Sequence, residues 1–414
     1  MLTERAAGNR ELLQLLAFGI VPHDEHAGSA IERAERARRS WLDSHGDAPL
    51  DDDGMRELLR SCVEQSIAAS SGPLTLGLTS GFDSRPMLHV LSELGVSPQL
   101  YCYSQPGNID HDVVMWLDER LTLGVALADT RSIPITLEMF DEHARTQNPS
   151  PLGAGAPGWS WAHERFGPTT LVHGYLNDAL TGDNREKAKG ATQLGDRDAF
   201  MSRNDPFALQ VEFEPALLAD LCPSAAISRD RELDLYTQYD LGYRQESRIR
   251  PSSGGPHELR FPFTDERWIG YWLSRPRDER RGQRRWYEFV KSLGSPLFAD
   301  LEGLEHLEGK DLRLARKRRF YGYKGEPGLL NFSTVSSTLQ REPAHPFDLV
   351  AVYDANAHLR ETVTESLHRL RGRGLVYGSV IDAVEYGFAR GEHAAGLLVN
   401  ALMTIDVHAE VGVV

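Results

Sequence analysis

The chain has 414 residues, 41% of them hydrophobic and 25% charged, a globular composition that excludes disordered, fibrous and collagen-like classes. Its net charge of -15 sets a like-charged surface against nucleic acid and anionic membranes, so neither is an expected partner. Cys62, Cys102 and Cys222, an odd set without CxxC spacing, argue against a disulfide framework or a zinc site; no stretch reaches the roughly 20 apolar residues of a membrane span, and the expected compartment is cytoplasmic.

A chain of this length exceeds one hydrophobic core, which predicts a core carrying a helical partner lobe rather than one compact domain. Residues 9–70 read as two or three helices, with Leu12, Leu13, Leu15 and Leu16 in the first and Arg, Glu and Ala alternating through 31–39. This segment, 1–70, reads as support. Within it His23-Asp24-Glu25-His26 reads as a solvated turn, because adjacent residues rarely converge on one metal. From Leu74 the pattern becomes short apolar runs followed by helical stretches: LTLGLT and a helix from about Arg85, QLYCYS and a helix from Asp112 to Leu123, then RSIPIT and TTLVHG. That alternation predicts a parallel sheet with crossover helices over 71–205. Residues 181–204 are a polar loop, and beyond Phe207 the chain reads as mostly helical, dividing into 206–345 and a carboxyl-terminal region, 346–414. Gly153-Ala154-Gly155-Ala156-Pro157-Gly158 fits GxGxxG but follows Asn148-Pro149-Ser150-Pro151 rather than a strand, and reads as a loop.

Ligands of such sheets sit at the carboxyl ends of strands, which singles out the turns after LTLGLT and TTLVHG. The first, Thr79-Ser80-Gly81-Phe82-Asp83-Ser84, presents backbone N–H groups, hydroxyls and a helix start to an anion. Asp83 suits that site if magnesium accompanies the anion; an ordinary polar turn is the competing reading.

This stretch resembles the SGGxDS loop of the pyrophosphate-releasing (PP-loop) ATPases, with Thr79 and Ser80 where Ser and Gly are usual. His173-Gly174-Tyr175-Leu176-Asn177-Asp178, followed by Leu180 and Gly182, resembles the SGEGxDExFxG segment of asparagine synthetases, with Ala179 where that family has Glu. Glu258-Leu259-Arg260-Phe261-Pro262-Phe263-Thr264-Asp265 is similar to its ExRxPFxD segment, and Lys317-Arg318-Arg319-Phe320 to its KxxF loop. The segments follow the family's order over about 60–335, and Phe18-Gly19-Ile20-Val21-Pro22 is similar to the join between its glutaminase and synthetase halves. No amino-terminal cysteine nucleophile follows Met1, so the expectation is a synthetase part alone that takes its ammonia or amine from elsewhere.

The resemblance implies a PP-loop (HUP-like) core completed by the helical part in 206–345, with ATP and Mg2+ as cofactors. It implies that Thr79, Ser80, Gly81, Ser84 and Gly174 hold ATP phosphates, and that Asp83 and Asp178 hold magnesium and pyrophosphate. A substrate carboxylate, small-molecule or peptide, would become an acyl-adenylate, with Lys317 stabilising charge. Lys317 lies among Arg313, Arg316, Arg318, Arg319 and Lys324, a cluster that also reads as a solvated face, and Lys324 in its Gly-flanked loop is a rival for the same role. Tyr175 stands where asparagine synthetases carry Glu and beta-lactam synthetases carry Tyr, which implies a Tyr175–Glu258 dyad deprotonating an organic amine; a packed tyrosine is the alternative. His173 reads either as a satisfied core histidine or as a substrate contact. The expected activity is AMP-forming amide synthesis, with a homodimer left open. The rivals are a PP-loop thiolase or nucleobase modifier and a nucleotide-binding protein without catalysis.

Overall fold

The computed structural model describes residues 24–106, 108–130, 132, 156–182, 258–304, parts of 306–320, 357–374, 376, 378–390 and single positions between 399 and 409. Its centre is a parallel sheet of β1 (Leu74–Gly77), β2 (Gln99–Ser104), β3 (Ala126–Asp129), β4 (Thr170–Val172) and β5 (Glu258–Arg260), in the order β3-β2-β1-β4-β5. The register sets Leu76 beside Leu100 on one side and Val172 on the other, and Thr170 beside Glu258. The fold is therefore α/β.

Period-two alternation divides the sheet between two apolar layers. Leu100 and Cys102 of β2 and Val172 of β4 face the large core; Tyr101, Tyr103 and Leu171 face a smaller one. The large core takes α1 (Asp24–His45), α2 (Asp52–Ala68), α3 (Ser84–Glu93) and α4 (Ile109–Leu121). The smaller holds α5 (Ala156–Phe166), through Ala162, Trp161 and Phe166. Placing α5 on the opposite face is what a right-handed crossover demands when the chain returns from β3 across β1 to β4.

Local sequence explains where the helices start. Asp51 caps α2 by accepting from Gly54 N at 2.8 Å, and Asn108 caps α4 by accepting from Asp110 N at 2.9 Å, with Asp110 and Asp112 in its positive first turn. Asp265 caps α7 (Glu266–Ser274; α6 is Asn177–Thr181), accepting from Arg267 N at 2.8 Å and pairing with the Arg267 guanidinium. Its place in the ExRxPFxD segment is thus a helix start.

Helix α7 and, beyond the one-turn α8 (Arg277–Arg280), α9 (Arg284–Ser292) fill the core with aromatic rings. Trp268 and Trp286 meet edge to face at 5.8 Å, and Trp272 packs on both at 6.0 and 6.3 Å. At the carboxyl-terminal side, α10 (Ala357–Arg373) packs on α11 (Gly378–Ala389), and buried Asp406 accepts from Arg369 and Arg373. No helix among the described residues is long and apolar enough to cross a membrane.

Four sequence readings need correction. Strand β3 forms over Ala126–Asp129, ahead of RSIPIT, most of which lies outside the described residues. Strand β5 falls in a region read as mostly helical, because a three-residue edge strand is too short to carry a periodic signal. Ala156, Pro157 and Gly158 begin α5 rather than a loop, with Gly158 where any Cβ would lie 2.7 Å from the Tyr103 ring. Asp24, Glu25 and His26 belong to α1 rather than a turn.

Gly270 shows how closely α7 crosses α1: a Cβ there would lie 2.5 Å from the Ala37 carbonyl oxygen and 3.0 Å from Trp41 Cβ. In a free helix Gly→Ala gains up to about 1 kcal/mol. Gly270→Ala is expected instead to destabilise by about 1–3 kcal/mol, as overpacking does, read as a lower denaturant midpoint at unchanged slope.

Candidate functional site

The strand order reverses between β1 and β4. In open α/β sheets the crevice at such a point, outside the carboxyl ends, is the ligand position. Two loops lie there: residues 78–83 after β1, and 173–176 after β4, the latter leading into α6 (Asn177–Thr181).

The first loop is built around its hydroxyls. Thr79 N donates to Ser84 Oγ at 3.1 Å, the Thr79 and Ser84 hydroxyls lie 3.1 Å apart, and Gly81 N donates to Thr79 Oγ1 at 3.2 Å. Phe82 turns inward as the plug, edge-on to Tyr287 at 4.9 Å and stacked on Phe298 at 6.4 Å. Ser80 is engaged by the protein itself: its N and Oγ donate to Asp110 Oδ1 at 2.8 and 2.6 Å. Ser80 thus anchors the loop instead of offering these donors outward.

The second loop is pressed against the first. A Cβ on Gly174 would stand 2.8 Å from Asp83 Cβ and 3.3 Å from Met87 Cε, so only glycine permits this approach. Asn177, fully buried, joins the loops to the core: its Nδ2 donates to Asp83 Oδ1 at 2.8 Å, and its Oδ1 accepts from Trp268 Nε1 at 3.1 Å. Asp83 occupies the N-cap position of α3 yet makes no capping bond, its carboxylate being turned to Asn177. Asp178, next in the chain, opens α6 and accepts from Ala179 N at 2.9 Å.

Asp83 and Asp178 are the acidic side chains that these two loops contribute. Among the described residues no group of three or more His, Cys, Asp and Glu side chains gathers for a metal. Two carboxylates with the remaining positions left to water and phosphate is a magnesium habit, not that of an all-protein cage. The chemistry of two carboxylates on adjoining loops is of the kind magnesium takes beside phosphate.

The other expected residues are distributed differently. Tyr175 follows β4 and stacks on His173 at 3.9 Å, with Phe261 at 5.8 Å. Burial pushes the His173 imidazole down to about 4, so it is neutral at physiological pH. Glu258 lies at the start of β5, level with Thr170, accepting from Thr170 Oγ1 at 2.7 Å and from Ser71 N and Oγ at 3.4 Å, and pairing with Arg260. Tyr175 packs on the smaller core with Leu171 and Leu259, whereas the Glu258 carboxylate is engaged by Thr170, Ser71 and Arg260. Among these contacts none joins Tyr175 to Glu258. The Thr170 hydrogen bond, with the Ser71 donors and Arg260, holds the Glu258 carboxyl below its usual range and makes it a poorer base. It is Phe261, three residues on, that reaches Tyr175. Lys317 and its rival Lys324 lie outside the described residues.

Sequence reading gave no role of their own to Asn177, Asp110, Arg85 and Asp300, and it set Arg316, which is buried, in a cluster that also reads as a solvated face. Buried Asp300 pairs with Arg85 at 2.5 Å and Arg316 at 2.8 Å beneath the first loop. Asn177 could have been found as the polar residue beside Asp178; the Arg85–Asp300–Arg316 contact spans more than 200 residues and leaves no local pattern.

One backbone feature marks the second loop. Leu176 is buried with φ 83°, a left-handed conformation that costs a non-glycine residue roughly 1–2 kcal/mol and concentrates at functional sites. Leu176→Gly should therefore be more stable than Leu176→Ala by about 1 kcal/mol, the reverse of the usual order. Thermal unfolding of the pair checks this, and equal melting temperatures would mean the turn relaxes without cost.

No known family model matches the chain, and no curated protein matches it.

Proposed function

We propose that the chain is an ATP-consuming, AMP-forming carbon–nitrogen ligase with a PP-loop type nucleotide core, which adenylates a substrate carboxylate and transfers the acyl group to ammonia or an amine. What supports this most is the convergence at the β1/β4 switch point of a hydroxyl-rich loop and a second acidic loop, with Gly174 against Asp83 and Asn177 bonded to it. Carboxylates from two separate loops are a reasonable way to hold a magnesium-bound phosphate chain without closing the crevice.

In this reading Thr79, Gly81 and Ser84 offer hydroxyls and an N–H to phosphate oxygens, while Asp83 and Asp178 would hold magnesium. The ion, when bound, neutralises charge on the phosphates. Asn177 fixes the Asp83 carboxylate against rotation, and the buried Trp268 fixes Asn177 in turn. Lys317 is retained as the candidate for charge stabilisation. Glu258 and Arg260 are assigned to tying β5 to β4 and to the residues before β1, since Arg260 also donates to the Ala69 carbonyl. Tyr175 stays a candidate beside the reacting groups, with no partner role for Glu258.

The two described thiols, Cys62 and Cys102, do not favour the sulfur-transfer rival; Cys222 lies outside the described residues. Burial pushes Cys62 up to about 12 and Cys102 upward as well, so neither offers a thiolate near neutral pH.

The deciding measurement is the nucleotide product formed with magnesium, ATP and a panel of amino and dicarboxylic acids. AMP and pyrophosphate are expected; ADP and phosphate would overturn the adenylating mechanism. Asp83→Asn and Asp178→Asn should each lower turnover by roughly a hundredfold, since metal charge stabilisation is worth several kcal/mol, with little change in melting temperature. Near-normal turnover of either at saturating magnesium would remove that residue from the site.

A further inference from the structure

The carbonyl oxygen of Ser80 accepts two charged donors, Arg85 Nη2 at 2.7 Å and Arg316 Nη2 at 2.8 Å. Arg85 is 0% exposed and Arg316 5%. Arg85 is held in place further by the Leu297 carbonyl at 2.9 Å, the Gly81 carbonyl at 3.0 Å and Asp300 at 2.5 Å. Arg316 reaches the other Asp300 oxygen at 2.8 Å, and the Phe82 ring lies 5.1 and 5.3 Å from the two guanidinium centres. Two guanidiniums and one carboxylate leave one net positive charge sealed under the loop. Burial lowers Arg85 to about 10, which still leaves it charged at neutral pH.

Buried charges act strongly because little water screens them. They also fix geometry. In a trans peptide C=O and N–H point in opposite directions, so a Ser80 oxygen turned to the guanidiniums sends the Gly81 N–H the other way. There its acceptor is the exposed Thr79 hydroxyl at 3.2 Å, a contact that an anion can replace. Asp110 acts in the contrary sense: its carboxylate takes the Ser80 N–H and hydroxyl and adds a negative charge beside the same loop.

We propose that Arg85 and Arg316 are positioning residues that aim the Ser80–Gly81 peptide at the phosphate chain of a nucleotide, and that Asp110 weakens the same interaction by competing for the loop. This rests on the proposed nucleotide site. In that arrangement a serine in the loop is tolerated because its donors are turned to Asp110 and the attraction for phosphate comes from the arginines behind it.

The test is calorimetric titration of magnesium pyrophosphate into the full chain and three variants, with circular dichroism and melting to verify folding. Arg316→Met should weaken binding by about 10- to 100-fold, and Arg316→Lys should recover part of the loss. Asp110→Asn should bind several-fold more tightly. A purely structural role predicts the same sign for both sites, since each change removes a contact that holds the loop. Unchanged affinity in Arg316→Met, or weaker binding in Asp110→Asn, would overturn the inference. If Arg316→Met does not fold, Asp110→Asn alone decides, because it leaves the buried Arg85–Asp300–Arg316 trio intact. Wild-type protein that binds neither magnesium pyrophosphate nor magnesium ATP would instead overturn the proposed function itself.

Discussion

Strand β1 has β2 on one side and β4 on the other, and both pairings are parallel. Parallel pairing brings the carboxyl ends of all three strands to one edge, and the chain leaves β1 toward β2 but comes back on the far side at β4. The turns after β1 and β4 are therefore driven apart in path while their starting points stay one strand spacing, about 4.8 Å, from each other. That geometry is what lets residues nearly 100 positions apart, Asp83 and Asn177, share a hydrogen bond. Moving β4 to the edge beyond β3 would keep every motif and lose the crevice.

The polar groups at this crevice are not separate from the core. Asn177 links Asp83 to Trp268, and Trp268 stands in the ring cluster with Trp272 and Trp286. The carbonyl of Asn177 accepts from Thr181 Oγ1, which accepts from Gln283 Nε2, whose amide oxygen accepts from Tyr287. Leaving a buried donor or acceptor of such a chain unsatisfied costs about 1–3 kcal/mol, so the network selects one arrangement of α6, α7 and α9. The positive φ of Leu176 is held by the same surroundings, with buried Leu180 and Ala179 on one side and the Gly174 approach on the other. A strained turn persists where packing over-determines it.

The acidic composition and the positive charge beneath the first loop are compatible because they act over different ranges. Surface charges are screened beyond about 10 Å at ordinary salt, whereas Arg85 and Arg316 are held out of water against the Ser80 carbonyl. A net charge of -15 discourages polyanions as a class but says little about a small anion at one loop.

The sequence by itself determined the α/β class and the two loops that carry the candidate site, because strand-to-helix alternation and small, hydroxyl-rich turns are local properties written in consecutive residues. LTLGLT, QLYCYS and TTLVHG contain β1, β2 and β4, and Thr79–Ser84 and His173–Asp178 lie at the switch point. Pairings across the chain were beyond that reach. The motif containing Glu258 was legible as a unit, yet which groups its carboxylate meets depends on the register of β5 against β4, and register is decided by tertiary packing. The same holds for the two guanidiniums on the Ser80 carbonyl, one of them arriving from 236 residues away. Only the folded structure could assign Ser80 to Asp110, because satisfying a donor is a question of three-dimensional neighbours, and residue type alone leaves it open.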